Sequence, residues 1–361
     1  MIFTATADFD RSDPTCFYTP EKIHRIRPDK SGCRQDDLLA YTADPFLYPG
    51  DERCRENGPF VTSCFKRTIH GESFLFVSDM YGGMLAGYRF DRDKSGYVGI
   101  PFLTMGNGDP DKKRPQKFWL DSNGDGMEQD GENTGRDEIN QYSMSYFVDK
   151  NGNIWRGVRG QGCMLWKVAG KNEKGIPLYA PAVLIPLPAG FTDAKRIFYD
   201  PEKDELYLAG FSSSYQDKKD TWWAMGSTIA VCRKFMQRTG GGTFIPDGWT
   251  PDLMVYIPFN IEDGSGKDAW NAKAFTVEGD YIFIVLAREG YITAYDRGTG
   301  KLVGRLSPGN EVNNQSGWCD FNYAVNAKKN EDGSYDILVE ENAFAKVIRY
   351  HLKTMKTNIP G

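Results

Sequence analysis

The stretch Phe147-Val-Asp-Lys-Asn-Gly-Asn-Ile-Trp155 holds the end of one strand pattern, a polar turn and the start of a second strand pattern. Polar and apolar side chains alternate over residues 141–148, and a second strand-like run occupies residues 153–157. Two further apolar runs follow at residues 163–168 and 182–186. Short runs of this kind, separated by turns rich in Asn, Asp and Gly, predict a unit of four antiparallel strands.

The same unit recurs along the whole chain, in six copies that differ in detail. First strands are predicted at residues 60–65, 141–148, 195–199, 272–277 and 320–325. Second and third strands are predicted at residues 2–8 with 22–27, 74–79 with 83–90, 153–157 with 163–168, 205–210 with 228–235, 281–286 with 291–295, and 335–340 with 345–351. Closing strands are predicted at residues 37–41, 96–100, 182–186, 253–257 and 301–305.

Six repeated units of four short strands are typical of a β-propeller. We therefore predict an all-β fold, a six-bladed β-propeller with four-stranded antiparallel blades, as a single domain over residues 1–361. Insertions are predicted at residues 104–140, after the second blade, and at residues 212–225, within the fourth. The first copy lacks a leading strand and the last lacks a closing one. Residues 357–361 or other parts of a longer protein would complete the ring.

Composition excludes some classes of function. The net charge is −5 and there is no run of basic residues, so nothing indicates a nucleic-acid partner. No apolar stretch approaches the ~18 residues that a membrane-spanning helix needs. Hydrophobic residues make up 40% of the chain, which is enough for a substantial core.

Residues 121–132, Asp-Ser-Asn-Gly-Asp-Gly-Met-Glu-Gln-Asp-Gly-Glu, match the calcium-loop pattern D-x-[DN]-x-[DN]-G-x5-E at every fixed position. We expect Ca²⁺ as a cofactor, held by this EF-hand-like loop. The alternative is an acidic, glycine-rich surface turn. No long helix flanks the loop and no second loop pairs with it, which favours a structural ion over a calcium sensor. The expected ligands are the side chains of Asp121, Asn123 and Asp125, the carbonyl of Met127, Gln129 directly or through water, and both oxygens of Glu132.

The cysteines bear on the cellular compartment. We expect one or two disulfides among Cys16, Cys33, Cys54 and Cys64, with buried thiols as the alternative. Cys163, Cys232 and Cys319 stand singly in apolar runs and are expected to be buried thiols. Calcium and disulfides both favour an extracytoplasmic setting, secreted or periplasmic.

The motifs at residues 147–155 and 198–208 resemble those of NHL-like six-bladed β-propellers, especially bacterial, secreted ones. The resemblance covers most of the chain and implies the fold, whereas it says little about function, because propellers host lactonases, lyases, sugar enzymes and docking surfaces. The turn motifs of the sugar-lactonase branch are absent here. The lyase branch needs several histidine ligands, and this chain has only His24, His70 and His351, far apart in sequence.

In such a propeller, first strands begin and second strands end at the same face of the central channel. Side chains at these positions are therefore expected to converge, although each could equally serve loop hydrogen bonding or blade packing. The catalytic candidates are Asp79, Asp320 and Glu341. The ligand-binding candidates are Tyr81, Arg156, Trp270, Asn271, Lys273, Arg288, Trp318 and Asn322, and the same rule places Asp193 and Lys195 nearby.

Two functional hypotheses follow. The first is a calcium-binding recognition module whose ligand is a glycan or a partner protein. The aromatic and polar candidate residues favour it, and so does the scarcity of catalytic motifs. The second is a hydrolase or lyase that acts on a lactone or polysaccharide through a central metal or the three carboxylates.

Overall fold

The computed structural model describes residues 6–29, 36–54, 61–80, 82–106, 117–133, 145–213, 224–242, 245–246, 248–257, 272–286, 292–309, 323–341 and 346–353. These residues form seven antiparallel sheets, of which six are the blades of a propeller and the seventh is a two-stranded hairpin, so the predicted fold is confirmed. Blade 1 consists of β1 (Asp8–Phe9), β2 (Cys16–Tyr18), β3 (Lys22–Ile26) and β4 (Asp36–Tyr41). Blade 2 consists of β5 (Val61–Ile69), β6 (Glu72–Asp79), β7 (Met84–Arg89), the short helix α1 (Arg92–Ser95), β8 (Ile100–Gly106) and a fifth strand, β9 (Lys117–Leu120).

The remaining blades follow in chain order, each with its strands hydrogen-bonded in sequence from the centre outwards. Blade 3 consists of β10 (Tyr146–Val148), β11 (Ile154–Val158), β12 (Gly162–Trp166), the added hairpin β13 (Val168–Lys171) and β14 (Pro177–Tyr179), and β15 (Val183–Pro186). Blade 4 consists of β16 (Phe191–Asp200), β17 (Glu205–Ser212), β18 (Thr228–Arg233), the short helix α2 (Phe235–Arg238) and β19 (Leu253–Tyr256). Blade 5 consists of β20 (Ala272–Glu278), β21 (Tyr281–Leu286), β22 (Ile292–Asp296) and β23 (Leu302–Leu306). Blade 6 includes β24 (Val325–Lys329), β25 (Tyr335–Glu341) and β26 (Lys346–Leu352).

The second strands of the blades are largely buried because each blade is covered on both faces by its neighbours. All six residues of β21, Tyr-Ile-Phe-Ile-Val-Leu, are buried. Separate apolar clusters fill the spaces between successive blades, and the smallest of them, which includes Phe9, Phe17 and Leu338, lies between blades 1 and 6. Burying one such large side chain contributes about 1.5–3 kcal/mol, so these inter-blade layers hold the ring together.

The ring closes through contacts between neighbouring innermost strands, which are β1, β5, β10, β16, β20 and β24. Six strands in a ring make six junctions, and at the one between β20 and β24 apolar residues such as Ala274 and Val325 pack together. The other five junctions contain four hydrogen bonds and one pair of aromatic rings. They are Thr6 N to Thr62 O at 2.7 Å, Arg67 Nη2 to Val148 O at 2.6 Å, Ser145 Oγ to Lys195 O at 2.7 Å, the rings of Phe198 and Phe275 at 6.3 Å, and Asn326 Nδ2 to Ala7 O at 2.7 Å.

The structure corrects the prediction for blade 1. Residues 2–8 were expected to be its second strand, without a leading strand before them. Instead Asp8–Phe9 is the innermost strand, and the second strand is Cys16–Tyr18, which the sequence analysis missed. Strands of two and three residues are too short to show alternation. Residues 357–361, the other suggested source of a closing strand, lie outside the described residues.

The closing strand of blade 2 was predicted at residues 96–100, whereas in the structure it is Ile100–Gly106. The preceding segment is the short helix α1, capped by the side chain of Asp91, which accepts hydrogen bonds from the backbone N–H groups of Asp93 and Lys94. The predicted 104–140 insertion therefore starts within blade 2, since β9 extends that sheet. Within the described part of the chain, no helix is long and apolar enough to cross a membrane.

The expectation of disulfides among the first four cysteines is wrong. Cys16, Cys54 and Cys64 are all free thiols, so no bridge can join any two of the four. Cys163 and Cys232 are buried free thiols, as expected, and burial raises the pKa of the Cys232 thiol to about 11. Cys33 and Cys319 lie outside the described residues.

Candidate functional site

The candidate site is the end of the central channel where the innermost strands begin and the second strands end, here called the mouth. Of the predicted site residues, Asp79 ends β6, Glu341 ends β25, Lys273 is the second residue of β20 and Arg156 lies within β11. Glu341, Lys273 and Arg156 are each at most 4% exposed. The other candidates, Tyr81, Trp270, Asn271, Arg288, Trp318, Asp320 and Asn322, lie outside the described residues.

Bulges place three polar side chains at the beginning of innermost strands. The register shifts between Val61 and Ser63, between Ala194 and Arg196, and between Ala272 and Ala274. The extra residues are Thr62, Lys195 and Lys273, all of them buried. A bulge turns a side chain away from the ordinary alternation of its strand, and bulges recur next to functional sites. Sequence reasoning missed Thr62, because alternation alone does not reveal a bulge.

Asp79, Tyr146 and Arg156 form one group across blades 2 and 3. The carboxylate of Asp79 accepts hydrogen bonds from Gly83 N at 2.7 Å and Met84 N at 3.1 Å, and burial raises its pKa to about 6. The Arg156 guanidinium lies 5.4 Å from the centre of the Tyr146 ring. Burial raises the pKa of Tyr146, with the Arg156 charge opposing and the Asp79 charge adding to the effect. Burial and nearby backbone N–H groups thus set the pKa of Asp79, and its pairing with Asp320 or Glu341 stays a prediction.

Blade 4 contributes a buried ion pair to the mouth. Lys195 Nζ lies 2.7 Å from Asp193 Oδ2, and both side chains are almost completely buried. The other carboxylate oxygen of Asp193 accepts a hydrogen bond from Gly160 N of blade 3 at 3.0 Å. Beside them, burial lowers the pKa of the Arg196 guanidinium to about 10. Charges of both signs are thus fixed in a region of low dielectric, where a polar ligand would interact with them strongly.

Tyr323 closes the channel below the mouth. It comes from the segment before β24 in blade 6, and its ring lies 5.3 Å from that of Phe65 in blade 2 and 5.8 Å from that of Phe147 in blade 3. Its hydroxyl donates to Ile197 O at 3.1 Å and accepts from Ile197 N at 3.2 Å in blade 4. The Tyr323 ring thus lies across the channel, and the space on its mouth side is here called the pit, with this ring as its floor.

Two hydroxyl groups are buried at the mouth without a partner in the part of the chain that the structure describes. These are Thr62 Oγ1 and Ser63 Oγ. Side chains two residues apart on a strand share a face, so Ser63 lies on the same face as Phe65, which contacts the Tyr323 floor. Buried hydroxyls are nearly always hydrogen-bonded, so these two are exceptions that a water molecule or a bound polar ligand would resolve.

The predicted calcium loop is a closed network of hydrogen bonds beside blade 2. Asp121 is fully buried and accepts from Gly124 N at 2.6 Å and Gly126 N at 2.9 Å. Gly126 has a φ of +81°, and a Cβ there would lie 2.8 Å from both Tyr48 and Ile100. The side chains at the other predicted ligand positions are also hydrogen-bonded. Asn123 donates to Gln129 at 2.9 Å, and Gln129 donates to Asp125 at 2.5 Å. Glu132 accepts from Trp119 at 2.9 Å and from Ser122 at 2.7 Å.

The donor chemistry of this loop suits Ca²⁺, which takes carboxylate, amide and carbonyl oxygens. Burial raises the pKa of Asp121, and the charges of Glu132 and Asp125 add to the increase, which a bound cation would reverse. However, the described residues contain no group of three or more His, Cys, Asp or Glu side chains placed to hold a metal ion. Calcium binding, including the role of the Met127 carbonyl, therefore stays a prediction.

Comparison with known proteins supports the fold alone. No family model and no curated protein matches the chain. Among solved structures, the chain is similar to the β-propeller domain of Cps50 (Swd1) from Myceliophteria thermophila, at 10% identity and a TM-score of 0.51, over 98% of this chain and 97% of that one. It is also similar to Hsv2 from Kluyveromyces lactis, at 12% identity and a TM-score of 0.38, over 94% of this chain and 70% of that one. The chain is a six-bladed β-propeller, and its resemblance to the NHL-like branch stays a prediction.

Proposed function

We propose that this propeller is an extracytoplasmic recognition module that binds a glycan in the pit at the channel mouth. The observation that carries the proposal is the pair of buried, unsatisfied hydroxyls on two neighbouring residues at the mouth, Thr62 and Ser63. The Lys195–Asp193 pair of blade 4 fixes charges of both signs at the same end of the channel. Such groups can exchange hydrogen bonds with a hydroxyl-rich ligand, and small-ligand sites usually combine aromatic or apolar walls with convergent polar groups.

The proposal is tested by titrating neutral oligosaccharides into the protein, with binding followed by calorimetry and by ligand-observed NMR. Ser63→Ala removes a hydroxyl without adding bulk and is expected to weaken binding about three- to tenfold. Thr68→Ala is the matched control, because Thr68 is an exposed hydroxyl at the other end of the same strand. If no oligosaccharide binds at millimolar concentration, the glycan form is wrong, and a partner protein becomes the better candidate.

A partner protein is the other ligand class that the pit would suit. A loop with polar side chains could enter the pit while the surrounding face supplies the contact area that a stable interface needs. Once a partner protein has been identified, the same two variants test this alternative. Ser63→Ala should weaken binding of the partner, and Thr68→Ala should not.

One observation favours an enzyme as the second candidate. The raised pKa of Asp79, about 6, would let its carboxyl exchange a proton near neutral pH, as a general acid or base must. The proposed reaction is hydrolysis or elimination on a lactone or polysaccharide, with Asp79, Asp320 and Glu341 as the carboxylates. Lactone and polysaccharide turnover that survives replacement of all three by alanine would rule out this assignment.

Calcium in the 121–132 loop is part of the same proposal, as a structural ion. The extracytoplasmic setting rests on this calcium alone, since calcium is abundant there and the free thiols remove the support from disulfides.

A further inference from the structure

A second cavity lies at the end of the strands opposite to the mouth. Its volume is about 440 Å³, and it is formed where blades 2, 3 and 4 meet. The β5–β6 hairpin, the β10–β11 turn and the segment after α2 each supply part of its wall. Its lining residues are Thr68, Ile69, His70, Asn151, Asn153, Lys167, Val168, Tyr199, Met236 and Gly241.

None of the described residues that line this cavity is a carboxylate, while an ammonium, an imidazole and two carboxamides face it. Two carboxylates that bond to lining residues, those of Asp149 and Asp204, are already taken up by N–H and O–H donors. Asp149 accepts from Asn153 Nδ2 and Trp155 Nε1, each at 2.9 Å, and Asp204 accepts from the Tyr199 hydroxyl at 2.9 Å. The cavity therefore presents donors and positive charge without a free negative group in its wall.

Two of the lining groups have polar atoms available to a ligand. The imidazole of His70 and the carboxamide of Asn151 make no hydrogen bond with any residue for which the structure gives a position. His70 occupies the first position of the two-residue turn between Ile69 and Glu72, with a φ of +49°. Asn is the residue most favoured at such a position, so the turn does not require histidine.

Lys167 stands beside a glycine-rich segment at the edge of the cavity. Its Nζ donates to Gly241 O at 3.1 Å, which leaves further N–H donors of the ammonium for a ligand. A Cβ on Gly241 would lie 3.0 Å from that Nζ, so glycine allows the backbone to approach the ammonium closely.

We propose that this cavity is a binding site for a small oxyanion ligand, a phosphate monoester or a small carboxylate. Lys167 would supply the charge, and His70 and Asn151 would donate hydrogen bonds. Hydrogen bonds from charged donors to an anion are about twice as strong as neutral ones, so Lys167 carries most of the affinity. The site is independent of the glycan site, because the two lie at opposite ends of β5.

The test uses the whole chain and three probes: inorganic phosphate, glycerol phosphate and succinate. Each is titrated by calorimetry against NaCl of equal ionic strength. We expect saturable binding in the millimolar range or tighter, with the tighter of glycerol phosphate and succinate identifying the ligand class. Lys167→Gln should raise the dissociation constant about tenfold, and Lys167→Arg should restore most of the affinity.

His70→Asn is the second variant, since it keeps the turn and removes the imidazole. It should weaken binding about threefold. Lys171→Gln, four residues along on the exposed surface of β13, is the matched control for charge and should leave affinity unchanged. No saturable binding of any probe at about 20 mM would overturn the proposal, as would binding that is equally strong in the Lys167→Gln and His70→Asn variants. Ser63→Ala should leave this binding unchanged, which separates it from the site at the mouth.

Discussion

Gly152 and Gly71 have the same φ, +84°, in very different surroundings. A Cβ on Gly152 would lie 2.3 Å from Ile69 Cδ1, where the turn of blade 3 meets the hairpin of blade 2, whereas a Cβ on Gly71 would meet nothing within 4 Å. We expect Gly71→Ala to cost about 1–2 kcal/mol from backbone strain alone, and Gly152→Ala to cost about 1–3 kcal/mol more from overpacking. Urea unfolding of both variants measures the difference, and equal costs would show that the blade contact is loose.

Asp79 predicts a pH dependence of stability. Burial raises its pKa from 3.8 to about 6, so the folded protein binds the proton more tightly than the unfolded chain does. Stability from this group is therefore largest at low pH, falls as the pH rises from about 4 to 6, and then levels off. Asp79→Asn keeps an oxygen to accept from Gly83 and Met84 but cannot ionise.

We expect Asp79→Asn to exceed the wild type in unfolding free energy by up to about 2 kcal/mol at pH 8, with this advantage lost at pH 4. Urea denaturation at the two pH values provides the measurement. An advantage that does not change between them would mean that the wild-type carboxyl titrates at its ordinary pKa.

At the scale of residues, the sequence was enough to predict where several side chains lie, although not whether they form a site. Asp79, Arg156, Lys273 and Glu341 all lie at one end of the channel, because that position follows from the topology of any propeller. Thr62 was not foreseen, since it depends on a bulge, and the Asp193–Lys195 contact needed coordinates. Their positions depend on local geometry that a pattern of polar and apolar residues does not encode.

At the scale of elements, long buried strands were predictable and short or irregular ones were not. The buried run in β21 carries a strong signal, whereas β1 and β2 contain only two and three residues. The hairpin formed by β13 and β14 was also missed. Its two strands pair with each other as a separate two-stranded sheet. A register shift at Gly170 breaks the alternation of polar and apolar residues there. Elements that depend on such irregularities are set by tertiary contacts more than by their own sequence.

The 121–132 loop allows a direct test of calcium binding. We expect Ca²⁺ to raise the melting temperature of the wild type and to have no such effect on Asp121→Ala, which loses the fully buried carboxylate predicted to be the first ligand. Asp130→Ala is the matched control, because Asp130 is an exposed acid in the same loop at a position that supplies no ligand. Elemental analysis of calcium per chain provides an independent readout. A wild type that shows neither a calcium-dependent shift nor bound calcium would mean that the hydrogen bonds of the loop suffice to shape it.

At the scale of the whole molecule, the number of blades was predictable because each blade carries its own copy of the repeat. The closure of the ring was not, since it depends on contacts between residues some 320 positions apart, such as the 2.7 Å hydrogen bond from Asn326 to Ala7. The Tyr323 floor was equally hidden, because nothing near residue 323 in the sequence indicates that its ring reaches blades 2, 3 and 4.

Tyr323→Phe tests how far that side chain stabilises the whole ring. The variant keeps the ring stacking and loses both hydrogen bonds to Ile197. We expect a loss of about 1–3 kcal/mol in unfolding free energy, within a single cooperative transition. Tyr41→Phe, the same substitution at a residue that is 59% exposed, should change stability by less than about 0.5 kcal/mol. An earlier, separate melting step in Tyr323→Phe would instead indicate that blade 6 unfolds independently.

The origin of Tyr323 in blade 6 has a consequence for biosynthesis. Ribosomes add about 5–20 residues per second, so blades 2 to 4 leave the ribosome on the order of ten seconds before the residue that fills their centre. During that interval the nascent chain carries an apolar hollow facing water, lined by Phe65 and Phe147. We expect this intermediate to depend on molecular chaperones, and a message truncated before blade 6 to yield aggregated polypeptide rather than a smaller working ring.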